Sequence, residues 1–277
     1  MRVVICAMAK NENLYINDWV KFHLGIGFDM IYLYDNNEIN MPNIANFIDK
    51  GLLEKVNIID IRGIREDRLQ QKTYSKFYKE HNFDWCLFCD IDEFLFGVKD
   101  IHEFLSNPIY NDYQQIRVKW KLFGDDGMIE RDMEVPVYKA FNKVLTKSLN
   151  RNLYDVGTLQ KQGKAFVKGN IEGALSTSPH FFSIKERKNI LKSCLPSGVE
   201  TKSAIAINDD YSKETVFLHH YMTKTLSEFI NQKMNRTDAV SKNYKLGFNY
   251  FWRINKKTNE KVNYIYKNYI YKNMGHK

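Results

Sequence analysis

Short apolar runs alternate with longer amphipathic segments along the first 96 residues. The apolar runs lack glycine and proline and are too short for buried helices, so they predict buried β-strands. These predicted strands cover residues 2–8, 30–34, 56–61 and 85–89. The intervening segments carry apolar residues at helical spacing, which predicts helices over residues 13–24, 43–50 and 65–80. Alternating strands and helices predict a parallel, doubly wound α/β sheet.

Beyond these elements the pattern is less regular. We expect further strands over residues 115–121 and 164–168. Thr225 and Glu228 have the spacing of a capping box, which predicts the start of a helix. In the same way, Asn13 is expected to cap the first helix of the chain.

Polar residues follow three of the predicted strands. Lys10 and Glu12 come after the first strand, Asp35 after the second and Asp90 after the fourth. In open α/β sheets the loops at the carboxyl ends of the strands form the ligand crevice. We therefore expect a nucleotide-sized crevice between Asp35 and the segment that begins at Asp90.

Three carboxylates, Asp90, Asp92 and Glu93, end the apolar strand of residues 85–89. Asp90 and Asp92 share one face of an extended backbone, whereas Ile91 points to the other. Two carboxylates this close repel each other unless a cation lies between them, and oxygen ligands suit Mg²⁺ or Mn²⁺. The alternative is a solvated acidic turn, but the core-forming residues on both sides favour a metal site.

The positive charge of the chain is concentrated at its end. The net charge is +8, and residues 241–277 contain nine Lys or Arg and one Glu, so residues 1–240 are balanced at 32 against 32. The same segment holds nine aromatic residues. Such a mixture is able to bind an anionic membrane surface or nucleic acid. The alternative is a final helix that packs on the domain and exposes its lysines to solvent.

We expect one main domain over residues 1–222 and a helical extension over residues 223–277 that packs on it. The first residues lack the pattern of a signal peptide, and no apolar run approaches the length of a membrane span. These features predict a cytoplasmic protein. The basic end adds the expectation of peripheral attachment to the inner face of the cell membrane.

Seven motifs follow one another along the chain. They are Val4-Ile-Cys-Ala-Met-Ala-Lys-Asn-Glu12, the helix of residues 19–23, Tyr34-Asp-Asn36, Asp90-Ile-Asp-Glu-Phe94, Trp120-x-x-Phe-Gly-Asp-Asp-Gly127, Lys164-x-x-Val-Lys168 and His220-Tyr-x-Thr-Lys224. As a set they resemble bacterial glycosyltransferases of the family-2-like group, related to family 92, which are common in capsule and lipopolysaccharide assembly. The resemblance extends from about residue 3 to about residue 265. It departs from the family at residues 192–197, where related sequences often have an Asn-Ala-rich segment.

The resemblance implies a glycosyltransferase-A fold, a nucleotide-sugar donor and a divalent ion, Mn²⁺ or Mg²⁺. UDP-sugars are favoured by the habit of the family. The residues implied to bind the donor are Ala7, Lys10, Glu12, Asp35, Gln71, Asp90, Ile91, Lys164 and Lys224.

The same resemblance implies a metal site. Asp90 and Asp92 would hold the ion, and His220 would complete the site, with His180 as the alternative. The bound ion would neutralise the charge that develops on the departing diphosphate.

The resemblance also implies the acceptor side. Trp120 and Phe123 are expected to contact the acceptor, a glycan or a lipid-linked saccharide. The resemblance implies inversion of the anomeric centre by direct displacement, which requires a carboxylate to deprotonate the acceptor hydroxyl. Asp126 is the candidate base and Asp125 its rival, although Gly-Asp-Asp-Gly is also ordinary turn chemistry.

Two other functions compete with this hypothesis. The acidic strand end would equally serve a metal-dependent nucleotidyl or phosphoryl transferase. A nucleic-acid-binding or membrane-binding module would act through the basic end instead. The order of the motifs favours the glycosyltransferase, for which no nucleic-acid partner is expected.

Overall fold

We describe the protein from a computed structural model. The description covers residues 1–144, 162–184, 191–201, 214–234 and 246–258. Within these ranges, no helix is both long and apolar enough to cross a lipid bilayer.

The strands follow the apolar runs of the sequence. They are β1 (Val3–Ala9), β2 (Met30–Asp35), β3 (Val56–Asp60), β4 (Trp85–Asp90), β5 (Glu93–Phe96), β6 (Gln115–Phe123), β7 (Gly163–Lys168), β8 (Ala174–Ser178), β9 (Phe181–Ile184), β10 (Ser193–Cys194), β11 (Glu200–Thr201) and β12 (Phe217–Tyr221). In the described part of the chain, ten of them form one sheet, in which the order β3-β2-β1-β4-β7-β6-β10-β11 is extended by β12 and β5. Strands β8 and β9 form a separate hairpin.

The direction of each strand decides which residues meet at one edge of the large sheet. Strands β3, β2, β1 and β4 are parallel, β7 runs against β4, and β6 runs against β7. Two reversals restore the direction, so β6 and its parallel neighbour β12 end at the same edge as β1 and β4. We call this side of the molecule the carboxyl edge.

The helices lie on both faces of the sheet. They are α1 (Ile16–Gly25), α2 (Leu69–Glu80), α3 (Ile101–Leu105), α4 (Val137–Ala140), α5 (Leu226–Glu228) and α6 (Phe248–Thr258). Helix α5 continues into a π-helical turn over Phe229–Lys233, and shorter 3₁₀ turns cover Ile44–Phe47, Lys50–Lys55 and Pro108–Tyr110.

Strand β1 shows why its sequence is apolar at every position. Val3 and Ile5 belong to the core cluster that includes residues of α1, whereas Val4 and Cys6 belong to the cluster that includes residues of α2. A strand covered on both faces cannot alternate apolar and polar residues. The predicted α/β class, with a mostly parallel sheet and flanking helices, is therefore confirmed.

Two local predictions are wrong. The segment predicted as a helix over residues 43–50 forms short 3₁₀ turns. Asn13 does not cap the first helix, because α1 begins at Ile16, and its cap residue Tyr15 makes no side-chain capping hydrogen bond. The Asn13 side chain instead accepts a hydrogen bond from Asn37, which follows β2. A contact between two loops thus replaces the expected local one.

The capping box is confirmed. The Thr225 side chain accepts from the Glu228 amide, and the Glu228 side chain accepts from the Thr225 amide. Helix α6 packs nearby through Phe251, whose ring lies 5.0 Å from that of Phe229. The rest of the basic segment, including Tyr264, Tyr266, Tyr269 and Tyr271, lies outside the described residues. The domain boundary at residue 222 stays a prediction.

The burial of His23 is expected to make the stability of the protein depend on pH. Its ring is fully enclosed among aromatic side chains, its Nδ1 lies 2.9 Å from the Trp19 carbonyl oxygen, and burial lowers its pKa from 6.5 to about 4. The unfolded chain therefore binds a proton between these pH values and the folded chain does not. Stability falls as the pH drops from 6.5 to 4, with a contribution from His23 of roughly 3 kcal/mol.

We expect His23→Phe to remove this contribution. Urea unfolding of the wild type and of this variant, measured at pH 7.5 and at pH 4.5, checks the expectation. His81→Gln, at the end of α2, is the control and should keep the wild-type pH dependence. Equal loss of stability in the wild type and in His23→Phe would contradict the expectation.

Candidate active site

Acidic residues from several loops converge where β1 and its neighbours end. In the strand register, Ala9 of β1 pairs with Asp35 of β2, and Met8 of β1 pairs with Asp90 of β4. From β1 the chain continues to β2 and then β3 on one side, and it returns to the other side of β1 as β4. The order of the strands therefore reverses between β1 and β4. Ligands of open α/β sheets bind in the crevice at such a switch point.

Asp90 lies at the end of β4 and has a cationic partner. Its Oδ2 is 2.8 Å from Lys164 Nζ, and its Oδ1 accepts from Gln70 Nε2 at 2.6 Å. Lys164 reaches it because β7 is antiparallel to β4 and begins at the carboxyl edge. Burial acts to raise the pKa of Asp90, but the Lys164 ammonium outweighs it and holds this pKa below its ordinary value. One third of the Asp90 side chain is exposed.

Asp92 is more enclosed than Asp90 and is also paired. Its Oδ2 accepts from Lys233 Nζ at 2.5 Å, and its Oδ1 lies 3.4 Å from His220 Nε2. Lys233 comes from the π-helical turn after α5 and also donates to the Met222 carbonyl oxygen. Burial opposes ionisation of Asp92, but Lys233 and His220 hold its pKa well below the ordinary value. Asp92 is therefore an ionised carboxylate inside the protein.

Glu93 completes the acidic segment. Its side chain accepts from the Asp90 amide, and its other carboxylate oxygen, Oε1, lies 3.9 Å from His220 Nδ1 and 4.0 Å from Lys164 Nζ. Burial raises the pKa of Glu93 well above its ordinary value. In the described part of the structure, Glu93 Oε1 and His220 Nδ1 are buried without a hydrogen-bond partner.

The rings of Trp120 and His180 lie beside this acidic group. The Trp120 ring lies 4.5 Å from the His220 ring and 5.2 Å from the His180 ring. His180 Nδ1 is 3.1 Å from the Gly163 carbonyl oxygen, and burial, together with Lys164, lowers the pKa of His180 to about 3. His180 is therefore a neutral ring beside the cluster. Phe123, the other predicted acceptor residue, is buried against His219 and Tyr221.

The loop after β1 joins the site through a second ion pair. Lys224 Nζ lies 3.2 Å from Glu12 Oε2 and 4.0 Å from the centre of the Tyr15 ring. Both charged side chains are almost fully buried. The loops after β1 and β12 are therefore tied together across the carboxyl edge.

The remaining predicted donor residues lie near this edge in different settings. Asp35 is buried, and it accepts from the backbone amides of Asn37 and Ile44. Lys10 is partly exposed and pairs with Glu38 at 3.6 Å. Ala7 and Ile91 are core residues, and Gln71 lies beside Gln70 at the start of α2.

The predicted base residues lie on the turn that follows β6. Asp125 is buried and accepts from the Gly127 amide, whereas Asp126 is partly exposed. The two Asp126 carboxylate oxygens accept from the amides of Asn142 and Lys143. The turn thus lies at the carboxyl edge with both carboxylates engaged by backbone amides.

Backbone strain marks the same edge. Of the five described non-glycine residues with φ in the left-handed region, Asn11, Asp126 and Lys224 lie here, with φ values of 56°, 52° and 55°. Such residues cost of order 1 kcal/mol each and persist where the surrounding structure fixes them. They lie in the loops after β1, β6 and β12, which supply the groups described above.

The predicted metal ligands do not fit a divalent ion in this arrangement. The oxygens of Asp90 and Asp92 are directed at nitrogen groups of Gln70, Lys164, His220 and Lys233. Within the described ranges, no three His, Cys, Asp or Glu side chains form a group suited to a metal ion. We therefore assign no chemical step to a metal.

Sequence reasoning missed two partners of the acidic segment. Gln70 contacts Asp90, whereas its neighbour Gln71 was expected to line the site. Lys233 was overlooked, although it occupies the i+7 position of an apolar stripe that begins at Leu226 and continues through Phe229. A lysine at a core-facing position is the signal that would have revealed it.

Comparisons with known proteins come from structure alone. A scan against models of protein families finds no match, and neither does a search of characterised proteins. Solved structures of S. aureus TarS 1–349 align with 12% identity, with TM-scores of 0.36 for the protein alone and 0.37 for its complex with UDP. Each alignment covers 61% of this chain and 47% of that chain. The complex with UDP-GlcNAc gives a TM-score of 0.34, 12% identity and coverage of 44% and 35%.

This chain therefore spans less than half the length of those TarS chains.

Asn255 gives a test of how helix α6 supports the site. Its side-chain oxygen accepts from the Asp125 amide at 2.8 Å and lies 3.3 Å from the Thr223 hydroxyl. We expect Asn255→Ala to lower the free energy of unfolding by about 1–3 kcal/mol, because a buried amide loses its acceptor. Urea unfolding measures this change. Lys256→Ala, an exposed neighbour on α6, is the control, and equal stability of the two variants would refute the coupling.

Proposed function

We propose that this protein is a glycosyltransferase that moves a sugar from a nucleotide-sugar donor, with UDP-sugars favoured, to a saccharide acceptor. The observation that carries the proposal is the convergence of carboxylates paired with buried lysines at the switch point of a mostly parallel sheet. Asp90, Asp92 and Glu12 approach it from two strands, and Lys164 and Lys224 from two others. A nucleoside diphosphate offers hydroxyls, which donate to carboxylates, and negative charge, which lysines attract.

The position of the site supports a nucleotide ligand. The site lies at the carboxyl ends of β1 and β4, the position at which open α/β sheets bind nucleotides. Asp90 is partly exposed there and has free lone pairs for a ribose or sugar hydroxyl. The order of the motifs supports sugar transfer over nucleotidyl or phosphoryl transfer.

Within this proposal, the acceptor binds near the turn after β6. Direct displacement with inversion needs a base, and the partial exposure of Asp126 favours it over the enclosed Asp125. Trp120 and Phe123 remain the predicted acceptor contacts. A glycan or lipid-linked acceptor and a role in capsule or lipopolysaccharide assembly follow from the resemblance alone.

A thermal-shift screen of nucleoside diphosphates and their sugar conjugates tests the donor class. A ligand that binds only the folded state raises the melting temperature, by about 5 °C at roughly 100 times its Kd. We expect such a shift with one UDP-sugar and its loss in Asp90→Asn. Asp112→Asn, an exposed carboxylate before the amino end of β6, is the matched control. No shift with any of these ligands would refute the proposal.

The nucleotide products formed without an added acceptor distinguish a glycosyltransferase from a nucleotidyl transferase. A glycosyltransferase releases the nucleoside diphosphate from the sugar nucleotide, because the bond to the anomeric carbon breaks. A nucleotidyl transferase breaks the bridge between the two phosphates instead. With water as acceptor it gives the nucleoside monophosphate together with sugar 1-phosphate from a sugar nucleotide, or together with pyrophosphate from a triphosphate. Chromatography of the nucleotides after incubation distinguishes these outcomes.

A further inference from the structure

The carboxylates of the acidic segment, which were expected to bind a metal cation, are instead paired with lysine side chains. Lys164 pairs with Asp90 at 2.8 Å, and Lys233 donates to Asp92. His220 approaches the second oxygen of Asp92, and Gln70 donates to the second oxygen of Asp90. Two carboxylates that attract a divalent ion when unpaired are here paired with two ammonium groups.

Both lysines are held in place by more than their charge. Lys164 Nζ also donates to the Pro179 carbonyl oxygen, and Lys233 Nζ to the Met222 carbonyl oxygen. Their side chains are 1% and 7% exposed. An ion that displaced either lysine from its aspartate would leave a buried ammonium without its counter-charge, which is strongly unfavourable.

We infer that Lys164 and Lys233 supply the charge that a divalent ion would bring, so that this site binds its nucleotide-sugar donor without Mg²⁺ or Mn²⁺. The inference rests on the proposed function for the identity of the donor. It leaves Asp90 as an acceptor for a donor hydroxyl. Asp92 holds Lys233 and, with it, the turn that follows α5.

Binding of Mn²⁺ in the absence of nucleotide gives the first test. Electron paramagnetic resonance measures free aqueous Mn²⁺ as protein is added. We expect no detectable binding to the wild type. Lys233→Met should bind Mn²⁺ about tenfold or more above that detection limit, because Asp92 loses its cation. Lys72→Met, which removes an exposed lysine of α2, is the control and should behave as the wild type. Tight binding to the wild type would overturn the inference.

Two further variants guard against a change in folding. Lys233→Arg keeps a cation beside Asp92 and should bind no Mn²⁺. Lys164→Met, which frees Asp90, should gain Mn²⁺ affinity as Lys233→Met does. Circular dichroism checks that each variant is folded, and added Mn²⁺ should raise the melting temperature of the two methionine variants only. Failure of both folded methionine variants to gain affinity would overturn the inference.

The nucleotide gives the second test. The thermal shift of the wild type with UDP and with UDP-GlcNAc is measured in EDTA and in Mn²⁺. We expect equal shifts in the two conditions. A shift that appears only with Mn²⁺ would overturn the inference while supporting the proposed function. If neither compound shifts the melting temperature in either condition, the donor assignment is wrong for UDP, and the Mn²⁺ measurements still decide whether the acidic segment binds metal.

Discussion

The pairing of buried carboxylates with lysines is the constraint on which the arrangement of the carboxyl edge depends. An ionised aspartate inside a protein is tolerated only with a partner of opposite charge. Asp90 and Asp92 come from one strand end, but their cations come from β7 and from the turn after α5. The two ion pairs therefore join segments far apart in sequence, and they do so at the carboxyl ends of the neighbouring strands β1 and β4.

The sheet makes these pairings possible through its directions. Lys164 is the second residue of β7, which is antiparallel to β4. It therefore lies at the edge of the sheet where β4 ends with Asp90. β6 and β12 regain the direction of β4, which brings the Asp125 turn and the segment after His220 to the same side. Helix α6 is joined to the same side, since the Asn255 side chain accepts a hydrogen bond from the Asp125 amide. If β7 were parallel to β4, Lys164 would lie at the opposite edge of the sheet from Asp90.

Local chemistry was predictable wherever neighbours in sequence decide it. The capping box at Thr225 and the strand before Asp90 depend on residues within a few positions of each other. Predictions were wrong where a distant partner competes, as at Asn13, which bonds to Asn37 rather than to the first turn of α1. The choice of Gln70 rather than Gln71 beside Asp90 depends on the rotation of α2 against β4, which helical periodicity gives only to within a residue.

The sequence by itself determined the α/β class, the strand ends that carry the acidic segment and the candidate residues around them, because apolar runs and polar ends are local signals. Only the tertiary structure decided what neutralises the carboxylates. Lys233 lies 141 residues from Asp92 along the chain, and no spacing rule links the two. The same pair of aspartates attracts a metal when unpaired and an ammonium when one is near, so its chemistry depends on what the fold brings beside it.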